Sequence, residues 1–184
     1  MFCSSCGKEI KDSAQFCNNC GAPVKAAPAA ANMVRSAPAS GGALFPNAEQ
    51  LVYRVKCPSC GNVYDARLSG PCPKCGEMHT IDFVNNGFLQ LYRMGHFSGA
   101  MMGEAIYLNG EGMGHVANTS TALIELPPGV YNVHCAISTL RHCEDVSVQI
   151  EPGKVVYVKS QLKMGAIKSK LLLHIVDPSE MPPL

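Results

Sequence analysis

The chain has 184 residues, 47 % of them apolar, a net charge of +1, ten cysteines and no tryptophan. No window approaches the ~18 consecutive apolar residues of a membrane-spanning helix, so no membrane span is expected. The charge splits as +3 over residues 1–79 (eight Lys/Arg against five Asp/Glu) and −2 over residues 80–184 (seven against nine), and neither half carries the field of a strong polyanion binder.

Residues 1–24 hold Cys3, Cys6, Cys17 and Cys20, two copies of Cys-x-x-Cys-Gly separated by ten residues. A Cys-x-x-Cys turn brings two sulfurs to one side of a tight loop, and the glycine that follows (Gly7, Gly21) can take the left-handed conformation this turn needs. Two facing turns supply four thiolates, the closed coordination of a structural zinc. So short a segment buries almost nothing beyond Ile10, Ala14 and Phe16. Metal binding, worth about 10–16 kcal/mol in small zinc modules, is then most of its folding energy. The N-terminus Met-Phe-Cys-Ser-Ser-Cys has neither a charged n-region nor an apolar h-region. A reducing, cytoplasmic setting is therefore expected, which favours metal over disulfides.

Residues 25–50 are rich in Ala, Pro, Ser and Gly and read as a flexible linker. Residues 51–79 repeat the cysteine pattern with Cys57, Cys60, Cys72 and Cys75, now eleven residues apart and followed by Gly61 and Gly76. Each four-cysteine set predicts one ion, so two Zn2+ are expected. Iron is the rival in the second set, because paired Cys-x-x-Cys knuckles also hold a single iron. Lys8, Lys11, Lys25, Lys56, Arg67 and Lys74 can offset the net −2 of a zinc tetrathiolate. That structural role competes with a nucleic-acid role for the basic residues. Tyr53, Arg54, Lys56, Tyr64 and Arg67 are the residues that would carry weak nucleic-acid binding.

Residues 80–184 change character. Candidate strands fall at 88–93, 104–108, 113–117, 121–126, 130–138, 145–151, 154–163 and 170–176, with turn signals at Asn109-Gly110, Pro127-Pro128-Gly129 and Pro152-Gly153. Tyr131, Val133, Cys135 and Ile137 alternate with Asn132, His134 and Ser138, and Val146, Val148 and Ile150 alternate with Ser147, Gln149 and Glu151. Seven or eight short strands at this spacing predict an antiparallel β-sandwich. The whole is expected to be two metal-stabilised zinc ribbons followed by an all-β domain.

Cys135 lies on the inward parity and is expected to be a buried thiol. Cys143 follows Arg141 and His142, which could lower its pKa. Met94-Gly95-His96 and Met113-Gly114-His115 suggest a soft-metal site but are commoner as core and loop. Lys154, Lys159, Lys163, Lys168 and Lys170 read as a protected strand edge before a polyanion stripe. No Gly-x-Ser-x-Gly nucleophile motif and no phosphate loop occurs.

Three resemblances add to these readings. Phe2-Cys3-Ser4-Ser5-Cys6-Gly7 through Phe16-Cys17-Asn18-Asn19-Cys20-Gly21 resembles the bacterial and archaeal zinc ribbon found at the N-terminus of many unrelated proteins. Residues 56–78 are similar to the wider zinc-ribbon group and to rubredoxin-like modules. Ile106-Tyr107-Leu108-Asn109-Gly110, Leu126-Pro127-Pro128-Gly129 and Ile150-Glu151-Pro152-Gly153 resemble the turns of PEGA-type β-sandwich domains, over about residues 104–163. These resemblances imply zinc binding without catalytic residues and an accessory binding module. The expected function is a non-enzymatic interaction or adaptor protein with a protein partner; the alternatives are a rubredoxin-like electron carrier and a weak nucleic-acid binder.

Overall fold

The computed structural model describes residues 44–97, 101–137, 143–165 and 169–184. They all belong to the second of two units into which the chain divides, Ala39–Leu184. The first four cysteines, Cys3, Cys6, Cys17 and Cys20, lie outside the described residues.

The described chain is predominantly β with almost no helix. Its strands are β1 (Tyr53–Lys56), β2 (Val63–Ala66), β3 (Ser69–Pro71), β4 (Met78–Thr80), β5 (Gly87–Arg93), β6 (Glu104–Leu108), β7 (Glu111–Val116), β8 (Thr121–Leu126), β9 (Gly129–Ala136), β10 (Cys143–Glu144), β11 (Val146–Ile150), β12 (Val155–Lys163) and β13 (Lys170–Ile175). A single 3₁₀ turn, Pro178–Glu180, closes the described residues. No helix among them is long and apolar enough to cross a membrane. All eight candidate strands of the C-terminal half recur within a few residues of their expected limits, and the two-residue β10 is additional.

The strands form a seven-stranded sheet ordered β10-β13-β12-β5-β8-β1-β2, a four-stranded sheet ordered β11-β9-β6-β7, and the separate ribbon β3-β4. The expectation of purely antiparallel pairing is corrected. β12 runs parallel to β5 in the register Val155↔Phe88 to Ser160↔Arg93, and β1 runs parallel to β8 with Tyr53↔Leu123. Parallel neighbours need a long connection, and here β2 to β7 lie between β1 and β8 in the chain and β6 to β11 between β5 and β12.

β5 explains the arrangement. Its sequence Gly-Phe-Leu-Gln-Leu-Tyr-Arg is buried at all positions but Tyr92, so the strand is covered on both faces, as a central strand must be. Leu89 and Leu91 join the main cluster, which draws on both large sheets through Ile106, Ile124, Val133, Val148, Ile150 and Leu171. Phe88 faces the other way, into a second cluster with Phe45, Tyr53, Val55, Ile81 and Leu123. There Phe45 meets Phe88 edge-on at a 5.4 Å centroid distance, and Tyr53 meets Phe83 edge-on at 5.8 Å. Residues 46–50, within the stretch read as linker, form turns, and the preceding Phe45 is 4 % exposed in this aromatic cluster.

The turns follow the sequence closely. Asn109 (φ 51°) and Gly110 (φ 81°) are both left-handed between β6 and β7, the signature of a type I′ hairpin. Asn109 Oδ1 also accepts the backbone N–H of Asn132 at 2.8 Å, which ties this hairpin to β9.

Candidate metal centre

Two hairpins carry the second cysteine set. The β1–β2 connection holds Cys57 and Cys60, and the β3–β4 connection holds Cys72 and Cys75. Their turns are the same object twice. The N–H of Gly61 donates to the Cys57 carbonyl at 2.9 Å and that of Gly76 to the Cys72 carbonyl at 2.8 Å. Both glycines are left-handed, with φ of 68° and 77°. The N–H of Cys57 reaches the Asn62 carbonyl and that of Cys72 the Glu77 carbonyl, each at 2.8 Å.

The four sulfurs converge. One ligand atom from each cysteine lies within 4.8 Å of all the others. Cys57 Sγ is 3.6 Å from Cys75 Sγ, and Cys60 Sγ is 3.7 Å from Cys72 Sγ. A tetrahedral zinc with bonds of about 2.3 Å spaces its sulfurs about 3.8 Å apart, so the donor set fits this ion. Asn62 Nδ2 points at Cys72 Sγ from 3.9 Å.

The electrostatics of the four thiols point the same way. Burial opposes ionisation of Cys72, but the backbone N–H groups of Lys74 and Cys75 donate to its sulfur and, with the neighbouring thiols, bring it down to about 6. At Cys75 the Glu77 N–H favours the thiolate; the sulfurs of Cys60, Cys57 and Cys72, with burial, outweigh it and push the thiol up to about 12. Four thiols so close cannot all ionise without a cation to compensate.

Comparisons with known proteins bear on the other end of the chain. Residues 2–24 match the family model of the zinc-ribbon domain. That match contains Cys3, Cys6, Cys17 and Cys20. No curated protein and no solved structure matches the chain. Zinc-ribbon character at the N-terminus and a four-cysteine cluster at residues 57–75 are thus two separate observations.

The structure re-employs most of the residues that suggested nucleic acid. Tyr53 is fully buried and its hydroxyl, 3.3 Å from the Ala48 carbonyl, is pushed up to about 12 by burial and then by the Glu125 charge. Arg54 forks onto Asp65, with Nε 2.9 Å from Oδ1, and donates to the carbonyls of Met113 and His115. Lys56 pairs with Glu111. Tyr64 packs against the aromatic cluster with its hydroxyl buried. Arg67 is exposed.

Other single-residue readings resolve similarly. Cys135 is fully buried, and burial followed by the Glu104 carboxylate pushes its thiol up. Cys143 is corrected: burial, and then the Asp145 and Glu104 carboxylates against a hydrogen bond from the Cys135 backbone, push it up to about 11. Arg141 and His142 lie outside the described residues. Met113 is in the core while His115 is exposed, so that pair shares no site. Lys154, Lys159 and Lys170 pair with Glu151, Glu180 and Glu144.

Three polar clusters had no signal in the sequence. Glu125, buried on β8, accepts His79 Nε2 at 2.7 Å and the Asp82 N–H and Asn86 Nδ2 at 2.8 Å each. It sits in the wall of a largely apolar cavity of about 490 Å³, bounded by Val55, Cys57, Pro58, Leu108, Met113 and Tyr131. Arg93 and Glu104 are both buried, with Nε 3.4 Å from Oε2, and Glu104 Oε1 has no hydrogen-bond partner. His134, Cys143 and Asp145 converge, with one ligand atom of each within 4.8 Å of the other two.

Proposed function

We propose that this chain is a non-enzymatic zinc protein that works by presenting a rigid surface to a protein partner, with one structural Zn2+ in each four-cysteine set. The observation that carries the reading is the spacing of the Cys57, Cys60, Cys72 and Cys75 sulfurs, which fills every position of a tetrahedral ion. A closed site leaves no position for a reacting water, and a structural role follows.

The sheet supports presentation. β1 leads into the first knuckle and is itself paired with β8, so the metal turn is anchored to the core rather than hung from a loop. The 490 Å³ cavity beside Cys57 and Pro58 offers a mainly apolar pocket with the Lys56–Glu111 pair at hand, chemistry suited to an apolar side chain flanked by polar groups. The β-sandwich and its PEGA-type resemblance belong to this proposal as the supporting scaffold, and so does a cytoplasmic setting.

Metal content and visible absorption of the full chain test the reading. Two equivalents of zinc held in the four-cysteine sets and no colour are expected. One iron with a chromophore bleached by dithionite makes the second knuckle pair an electron carrier and overturns the proposal. Binding of random-sequence DNA whose affinity falls steeply with salt would transfer the function to nucleic acid.

A further inference from the structure

His134, Cys143 and Asp145 come from two parts of the chain that the fold forces together. His134 points outward from β9, on the face opposite the buried Val133 and Cys135. Cys143 belongs to β10, which pairs with β13 in the seven-stranded sheet, whereas Val146 opens β11, which pairs with β9 in the four-stranded sheet. Asp145 is the residue between them. The chain therefore changes sheets at Asp145, and this corner brings Cys143 and Asp145 to the same imidazole. One ligand atom from each of the three residues lies within 4.8 Å of the other two.

The site is oriented. Asp145 Oδ1 is 2.7 Å from His134 Nδ1, and Asp145 Oδ2 accepts Asn132 Nδ2 at 3.0 Å. The Tyr107 ring lies 5.8 Å from the imidazole, tilted by 50°. It is also open. His134 and Asp145 line a groove of about 760 Å³ together with Tyr107, His115 and Asn132, and their side chains are 33 % and 36 % exposed.

We propose that His134, Cys143 and Asp145 form a further metal site, holding an exchangeable divalent ion of the zinc class through one nitrogen, one sulfur and one oxygen. Metal–ligand bonds of about 2.0–2.3 Å place ligand atoms roughly 3.3–3.7 Å apart, a spacing within reach of side-chain rotation from the present one. The mixed imidazole, thiolate and carboxylate set selects zinc, cobalt or nickel over calcium and magnesium. Three protein ligands leave a position facing the groove, where water or a small donor ligand completes the coordination. This is the reverse of the knuckle site, which is closed by four sulfurs. The site binds an ion without carrying a reaction, and it does not depend on an adaptor role.

The test is a cobalt titration of the full chain, first loaded with zinc and then freed of weakly held metal by a mild chelator. Wild type is expected to take up one cobalt beyond its retained zinc, with visible bands of a tetrahedral mixed-ligand site and a near-ultraviolet charge-transfer band of one thiolate. His134→Ala and Cys143→Ser should each weaken that uptake at least roughly 10-fold while the retained zinc is unchanged. If the third site holds its zinc through the chelator, the variants instead retain one equivalent less than wild type. Asp145→Asn, which keeps the volume and the Asn132 contact region, serves where either variant misfolds. No extra uptake and equal zinc content in wild type and variants overturn the proposal, leaving a hydrogen-bonded corner without metal; so does extra uptake that survives when His134→Ala and Cys143→Ser are combined.

Discussion

Replacing Glu125 by alanine removes the acceptor of three donors at once: His79 Nε2, the Asp82 N–H and Asn86 Nδ2. A hydrogen bond to a charged group is worth about 1.5–3 kcal/mol, and a plain sum over three would overshoot because the contacts are coupled. The Glu125 side chain is only 3 % exposed, so water enters solely from the adjoining cavity. Each buried donor left without an acceptor costs about 1–3 kcal/mol, and the partial access of His79 and the cavity to water brings the total to roughly 3 kcal/mol. At roughly 2–4 °C per kcal/mol for a unit of this size, Tm should fall by about 10 °C. Glu125→Gln keeps one carbonyl oxygen for Asp82 and Asn86 but turns an amide NH2 toward His79, losing the charge and that one acceptor, so a smaller cost of about 1–2 kcal/mol is expected. Thermal and urea unfolding of the zinc-loaded chain measures both, with metal content checked on each sample. Equal costs for the two substitutions, or less than about 1 kcal/mol for alanine, would refute the view that this carboxylate clamps the loop after β4 to β8. Chelator-induced zinc release should also quicken in Glu125→Ala, because the same loop continues from the hairpin that carries Cys72 and Cys75.

Three further outcomes are expected. Gly87→Ala places its Cβ 2.3 Å from the Glu151 carbonyl oxygen and 2.7 Å from Ile150 Cγ2, so it should cost about 2–3 kcal/mol in urea unfolding, while Gly70→Ala, with nothing within 4 Å, should stay near neutral. Arg93→Met alone leaves the Glu104 carboxylate buried beside Cys135 and should cost about 3–5 kcal/mol; adding Glu104→Leu should recover most of it, and a double variant as unstable as the single one would show that the pair is needed for more than charge balance. The backbone N–H and side chain of Asn85, followed by the Val84 N–H, hold Asp82 below its ordinary value of 3.8. A carboxyl lowered on folding contributes stability above its unfolded value that is lost as pH falls through the folded one. The stability difference between wild type and Asp82→Asn should therefore be constant near neutrality and shrink below about pH 4, read by denaturation at each pH.

The knuckles were legible because their chemistry is local: a tight turn, two sulfurs and a glycine at positive φ are specified within a few residues, and Gly61 and Gly76 have that φ. The strands were legible for the same reason, since alternation along β9 and β11 and the Asn109-Gly110 turn are short-range signals. Strand pairing is not local. Nothing in Val155–Lys163 announces that it lies parallel to Phe88, because many partners offer similar backbone hydrogen bonds and only the burial of both faces of β5 selects among them.

The sequence by itself determined that two four-cysteine sets precede a β-rich region, and that zinc chemistry suits them. Tertiary structure decided where those strands go and what meets in space. It turned Tyr53, Arg54 and Lys56 from a candidate binding surface into core and ion pairs, through contacts with Phe45, Asp65 and Glu111. It buried Glu125 and Glu104 with partners more than ten residues away in the chain or across a sheet. It also gathered His134, Cys143 and Asp145 at the corner where the chain passes from one sheet to the other. Such constellations depend on how sheets stack, a property of long-range packing that no window of residues encodes.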